Sequence, residues 1–139
     1  MEKTRDQIKQ EKAALKKEKT ASRRKARNLL EKAGFPKTCE YCDIIEEDFP
    51  KVWGEFYGGK RGKRLEPDHK DNEYKNNDIE NLCWACCLCN CAKSNKLTHQ
   101  EVMEVGAVIK TIWLKRAVIT FKHFQRKAAT QSLSPKFST

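Results

Sequence analysis

Residues 81–96 read Asn81-Leu82-Cys83-Trp84-Ala85-Cys86-Cys87-Leu88-Cys89-Asn90-Cys91-Ala92-Lys93-Ser94-Asn95-Lys96, and five of the chain's seven cysteines lie between positions 83 and 91. The other two form the knuckle Cys39-Glu40-Tyr41-Cys42. Cys86-Cys87-Leu88-Cys89 repeats the same C-x2-C spacing. Two such pairs can place four thiolates tetrahedrally around zinc, with sulfur about 2.3 Å from the metal. A site closed by four protein ligands has no open position, so its ion is structural and contributes on the order of several kcal/mol or more to folding. The pairs stand 43 residues apart. The segment between them must therefore be a folded insert with its ends clamped together. Cys83-Trp84-Ala85-Cys86 is a competing pair of the same spacing.

Outward from the knuckles, Leu65-Glu66-Pro67-Asp68-His69 reads as a strand or strand end. Val52-Trp53-Gly54-Glu55-Phe56-Tyr57 reads as a short strand before it, and 58–64 as a flexible, basic, glycine-rich loop. Cys86 to Lys96 reads as a short helix. Residues 2–33 read as a long polar helix ended by Gly34-Phe35-Pro36, its first half frayed without a partner because it has almost no apolar face. Thr98 and Glu101 match a capping box. Val102, Val105, Ile109, Ile112 and Trp113 then recur at helical spacing, which predicts a helix to about Lys127 whose stripe packs on the centre. The chain divides into a basic helical extension (1–36), a stapled core (37–97), a C-terminal helix (98–128) and a disordered tail (129–139).

Charge follows this division. The formal net charge is +10. Residues 1–33 carry twelve Lys/Arg and five Asp/Glu, 34–97 ten and twelve, and 98–139 seven and two. Two basic flanks around a slightly acidic centre suit a polyanion, nucleic acid being the commonest. Only 38% of the chain is hydrophobic, a small core that calls for an extra fastening. No signal-peptide pattern or membrane-length apolar run is present, which places the chain inside a cell, where clustered cysteines read as metal ligands before disulfides.

Asp68-His69, Asn81-Leu82, and Asn90 directly after Cys89, all inside the C-x2-C frame, resemble the HNH endonucleases, the ββα-metal nucleases, over residues 39–97. The third motif residue is asparagine, an H-N-N variant. The resemblance favours Cys86 with Cys89, since Asn90 and Lys93 follow that pair at motif positions. Cys83, Cys87 and Cys91 are then small buried residues or unpaired thiols. It implies an α+β fold: a ββα-metal core stapled by the zinc of Cys39, Cys42, Cys86 and Cys89, flanked by a basic N-terminal helix and a C-terminal helix. It implies that Asp68 and Asn90 hold one catalytic divalent ion, that His69 deprotonates the attacking water, and that Asn81 holds the loop and orients the imidazole.

Residue chemistry agrees. Phosphodiester hydrolysis needs a base titrating near neutrality, which histidine supplies. It also needs charge stabilisation at phosphorus, which a hard cation supplies. Carboxylate and amide oxygens suit Mg²⁺ or Mn²⁺. Neighbouring Asp and His on a strand point to opposite sides, so bringing both into one site requires a local bend, which Pro67 helps to set.

The reading is a metal-dependent DNA endonuclease of restriction, phage, mobile-element or recombination type. DNA phosphates would meet Arg23, Arg24, Lys25 and Arg27 on the first helix, Lys60, Arg61, Lys63 and Arg64 in the basic loop, and Lys93 and Lys96 after the second knuckle. His99 and His123 match no motif position and are expected on the surface. Cutting both strands of a palindrome would require a homodimer. The competing reading is a zinc-stabilised nucleic-acid-binding module without catalysis, which would not need Asp68, His69 and Asn90 together. A zinc-finger protein–protein adaptor fits the charge least.

Overall fold

The structure, a computed structural model, describes residues 1–53, 62–117 and 119. Its centre is a two-stranded antiparallel ribbon, β1 (Glu66–His69) and β2 (Leu82–Ala85), paired Glu66 with Ala85, Pro67 with Trp84, Asp68 with Cys83 and His69 with Leu82. Side chains alternate across such a ribbon, so one face carries Pro67, His69, Leu82 and Trp84, and the other carries Asp68 and Cys83.

Helix α1 (Arg5–Lys32) packs against the Trp84 face. It is helical from its start, where Thr4 and Gln7 close a capping box. That cap and a run of strong helix formers hold the first half that the apolar pattern leaves frayed. The helix first meets the loop between the strands at Glu18 and Lys19, and its fully buried residues follow at Ala26 and Leu30, one turn apart. It ends as expected, with Gly34 at φ 73° and the Phe35 N–H bonded to the Leu30 carbonyl, a glycine closing the last turn.

The expected strand at Val52-Trp53 is instead the end of a short helix, α2 (Phe49–Trp53). A helical turn brings the rings of Phe49 and Trp53, four residues apart, to 4.7 Å between centroids, which an extended chain would hold well apart. Trp53 Nε1 then donates to the Gly62 carbonyl at 2.7 Å. Residues 54–61, with the rest of the expected strand and most of the basic loop, lie outside the described residues.

Helix α3 (Cys87–Lys93) leaves β2 directly and meets β1 on the Asp68 face. Ser94 and Asn95, both at positive φ, stop it three residues short of the expected Lys96. Helix α4 (His99–Lys115) starts at the expected Thr98–Glu101 capping box. It ends twelve residues before Lys127: Ala117 takes φ 56°, which an α-helix cannot continue through, and Ile119 beyond it is buried. The segment 120–139, including His123 and the expected tail, lies outside the described residues. Val102 and Trp113 of the expected stripe are buried, but Ile112 is 39% exposed. The seam turns instead through Gly106, where a Cβ would come within 2.3 Å of the Tyr41 carbonyl oxygen. Among the described residues no helix is long and apolar enough to cross a membrane.

Candidate active site and metal centre

Cys39, Cys42, Cys86 and Cys89 come together as expected. Their sulfurs all lie within 4.8 Å of one another, and all four residues are buried. Cys42 and Cys86 stand 3.7 Å apart between sulfurs, close to the about 3.8 Å that separates tetrahedral ligands held about 2.3 Å from zinc. The first knuckle is a tight turn with Asp43 at φ 63°. The Glu40 N–H fastens it to the Trp84 carbonyl of β2 at 2.8 Å. The second knuckle is the start of α3, with Cys86 as its N-cap. Although burial opposes it, hydrogen bonds from Cys42, Cys86 and Cys89 hold the Cys39 thiol well below its ordinary range. Hydrogen bonding to Cys39 pushes Cys86 and Cys89 up. Four buried sulfurs this close together form a donor set that a divalent ion would stabilise. The residues fit a structural metal of the zinc type. Outside this set, Cys83 and Cys87 are buried and Cys91 is exposed.

His69 ends β1, with its ring half-buried on the α1 face. Its partner is Asn77, whose Oδ1 lies 2.7 Å from His69 Nε2. The direction of this bond follows from its neighbours. The Ser22 hydroxyl donates to the Tyr74 carbonyl, so its oxygen can only accept, and it accepts from Asn77 Nδ2 at 3.0 Å. That turns the Asn77 carbonyl toward His69, so Nε2 carries the proton and Nδ1 is the basic nitrogen. None of the Asn81 side-chain hydrogen bonds goes to the imidazole. The Asn81 amide bonds Asp71 Oδ1 and the Asn76 carbonyl, each at 2.9 Å, and its Oδ1 accepts the Asp71 N–H. Asn81 therefore holds the loop between the strands, and Asn77 orients the histidine.

Asp68 points the opposite way, into a buried polar cluster. Its Oδ2 accepts from the Tyr41 hydroxyl and from Lys93 Nζ, the latter at 2.9 Å, with Cys83 Sγ at 3.8 Å. Tyr41 in turn stands 3.1 Å from His99 Nδ1. Because the phenol donates to Asp68, its oxygen accepts from His99. His99, expected on the surface, is thus half-buried against Tyr41. Burial, with Lys70 and Lys93 nearby, pulls its imidazole below the ordinary histidine range. Burial, with Cys83 and Asp68 beside it, pushes the Tyr41 phenol well up.

This arrangement does not fit the expected catalytic ion. Asn90 is half-buried on α3, and Glu66–His69 stays in register with β2 throughout. The Asp68 charge is already met by an ammonium that is itself only 1% exposed. As they stand, the residues hold a lysine where the resemblance implies a metal.

The expected phosphate contacts separate into groups. Arg23, Arg24, Lys25, Lys63, Arg64 and Lys96 are exposed. Lys93 is buried in the Asp68 cluster and cannot meet a phosphate from there. Arg27 is half-buried: its guanidinium bonds the Leu65 carbonyl at 2.7 Å and lies 5.3 Å from the Trp84 ring centroid, a structural use of the side chain. Lys60 and Arg61 lie outside the described residues.

No family model and no curated protein matches this sequence. A solved structure does: that of PacI, a rare-cutting HNH restriction endonuclease that perturbs DNA. It is similar with a TM-score of 0.52 at 21% identity, over 73% of this chain and 82% of that one. The likeness is one of fold, and it falls on a chain whose four-cysteine cluster brackets an antiparallel ribbon followed by a helix. The α+β fold of this protein is accordingly similar to the fold of that HNH restriction endonuclease.

Proposed function

We propose that the protein is an endonuclease that hydrolyses phosphodiester bonds of DNA with His69 as general base. The observation that carries this reading is His69 itself: a histidine at the end of β1 in an HNH fold, with Nε2 held by Asn77 and Nδ1 left basic. In the reaction Nδ1 takes a proton from water, the water oxygen bonds to phosphorus, and the phosphorus–oxygen ester bond breaks. The departing oxygen is protonated from solvent. Exposed Lys63, Arg64 and Lys96 supply cations for the phosphate backbone, and zinc at the four cysteines holds the frame. No step is assigned to Asp68, whose carboxylate is committed to Lys93 and Tyr41.

The test is supercoiled plasmid incubated with the zinc-loaded protein in Mg²⁺, in Mn²⁺ and in neither, beside a His69→Ala variant. Wild type is expected to nick or linearise the plasmid, and the variant to lose about a hundredfold or more in rate, the share a positioned base supplies. The nicked-to-linear ratio reports one-strand or two-strand cutting. The committed state of Asp68 favours a second reading, a zinc-stapled DNA-binding module. It becomes the better account if both proteins bind DNA and neither cuts.

A further inference from the structure

The Asp68 carboxylate already has a cation, and its surroundings are built for it. Lys93 Nζ lies 2.9 Å from Asp68 Oδ2, 2.7 Å from the His69 carbonyl and 3.3 Å from the Lys70 carbonyl. An ammonium has three donors and no acceptor, so three oxygens satisfy it completely, as hard oxygen ligands satisfy a small cation. Lysine is almost never fully buried unless paired, yet Lys93 is 1% exposed. Separate parts of the chain fix the pair. β1 brings the carboxylate and one carbonyl. α3, capped by Cys86 of the cysteine cluster, brings the lysine. Tyr41 of the first knuckle closes on the same carboxylate oxygen.

We propose that Lys93 is the resident cation of this site, and that a divalent ion of the Mg²⁺ type reaches Asp68 only by displacing the Lys93 ammonium. The proposal concerns cation occupancy and holds whether or not the chain cuts DNA, so it and the nuclease reading fail separately.

Mg²⁺ binding is measured by calorimetry on the full chain with zinc in its cysteine cluster. Lys93→Ala is expected to bind Mg²⁺ at least tenfold more tightly than wild type, and Asp68→Asn added to it to remove the gain. Equal or weaker binding by Lys93→Ala overturns the proposal. Removing Lys93 leaves a buried carboxylate unpaired and threatens the fold. In that event, a variant that folds on adding millimolar Mg²⁺, followed by circular dichroism, supports the proposal, and one that stays unfolded counts against it. Wild type gives a second readout, the NMR signal of the Lys93 ammonium, visible while its protons are shielded from solvent. Saturating Mg²⁺ is expected to erase it, and Mg²⁺ bound with the signal intact overturns the proposal.

Discussion

His69 owes its Nε2–H tautomer to a residue eight positions away. Asn77 presents its carbonyl to Nε2 only because its amide nitrogen is engaged by Ser22 of α1. Without the Asn77 amide, both imidazole tautomers become accessible and part of the population has the wrong nitrogen basic. Asn77→Ala is therefore expected to cut plasmid about tenfold more slowly, short of the loss from removing the base itself. Long-range proton–nitrogen NMR of His69 should show a mixture of tautomers, and Asn77→Asp, which keeps the acceptor, should restore the Nε2–H form. A His69 spectrum unchanged in Asn77→Ala would show that the orientation comes from elsewhere. None of this was legible locally. Asn72, Asn76, Asn77 and Asn81 crowd one loop, and what selects Asn77 is Ser22, 55 residues away. His99 was missed for the same reason, since its partner Tyr41 is 58 residues distant.

At the scale of elements, the Thr98–Glu101 capping box of α4 was legible, while the caps of α1 at Thr4 and of α3 at Cys86 were not, and only Val102 and Trp113 of the expected α4 stripe are buried. The buried seam of α4 depends on what crosses it, and that is the first knuckle at Gly106. Gly106→Ala would place a methyl in the Tyr41 backbone, so α4 or the knuckle must shift. Overpacking of this kind costs about 1–3 kcal/mol, and the loss should appear as a lower thermal midpoint. An unchanged midpoint would mean that α4 does not lie against the knuckle. α1 offers a different test. Arg23, Arg24 and Lys25 are exposed where the helix meets the core, whereas Arg27 is used against Leu65 and Trp84. Reversing the first three to Glu should weaken DNA binding at low salt and flatten its salt dependence by up to about three charge equivalents. Arg27→Ala should mainly lower stability. If the triple reversal leaves the salt slope as it was, DNA does not lie along α1.

For the molecule as a whole, the cysteine frame was legible because C-x2-C spacing is a geometric statement about a metal. The Asp68–Lys93 pair was not, because helical spacing does not show that Lys93 turns inward under β1. The same frame makes the sharpest prediction about stability. All four cluster cysteines belong to the one buried core, alongside Trp84, Leu30 and Val102. They tie the first knuckle to α3 across the 43 residues between the pairs, and α4 and β2 both rest on that knuckle. Stripping the metal would leave buried thiols whose protonation each neighbour perturbs, with the two knuckles tied only by a few hydrogen bonds such as that from the Glu40 N–H to the Trp84 carbonyl. The purified chain is expected to contain one zinc. A strong chelator should release it, with exposure of the buried Trp84 seen as a red-shifted tryptophan emission and loss of a cooperative thermal transition. Zinc added back under reducing conditions should restore both, since structural zinc and folding are coupled equilibria. Cys39→Ser should behave like the stripped protein, while Cys91→Ser, exposed and outside the cluster, should keep its zinc and its midpoint. If the chelated protein retains its buried tryptophan signal and its melting transition, the core stands on apolar packing alone and the four cysteines are not its staple.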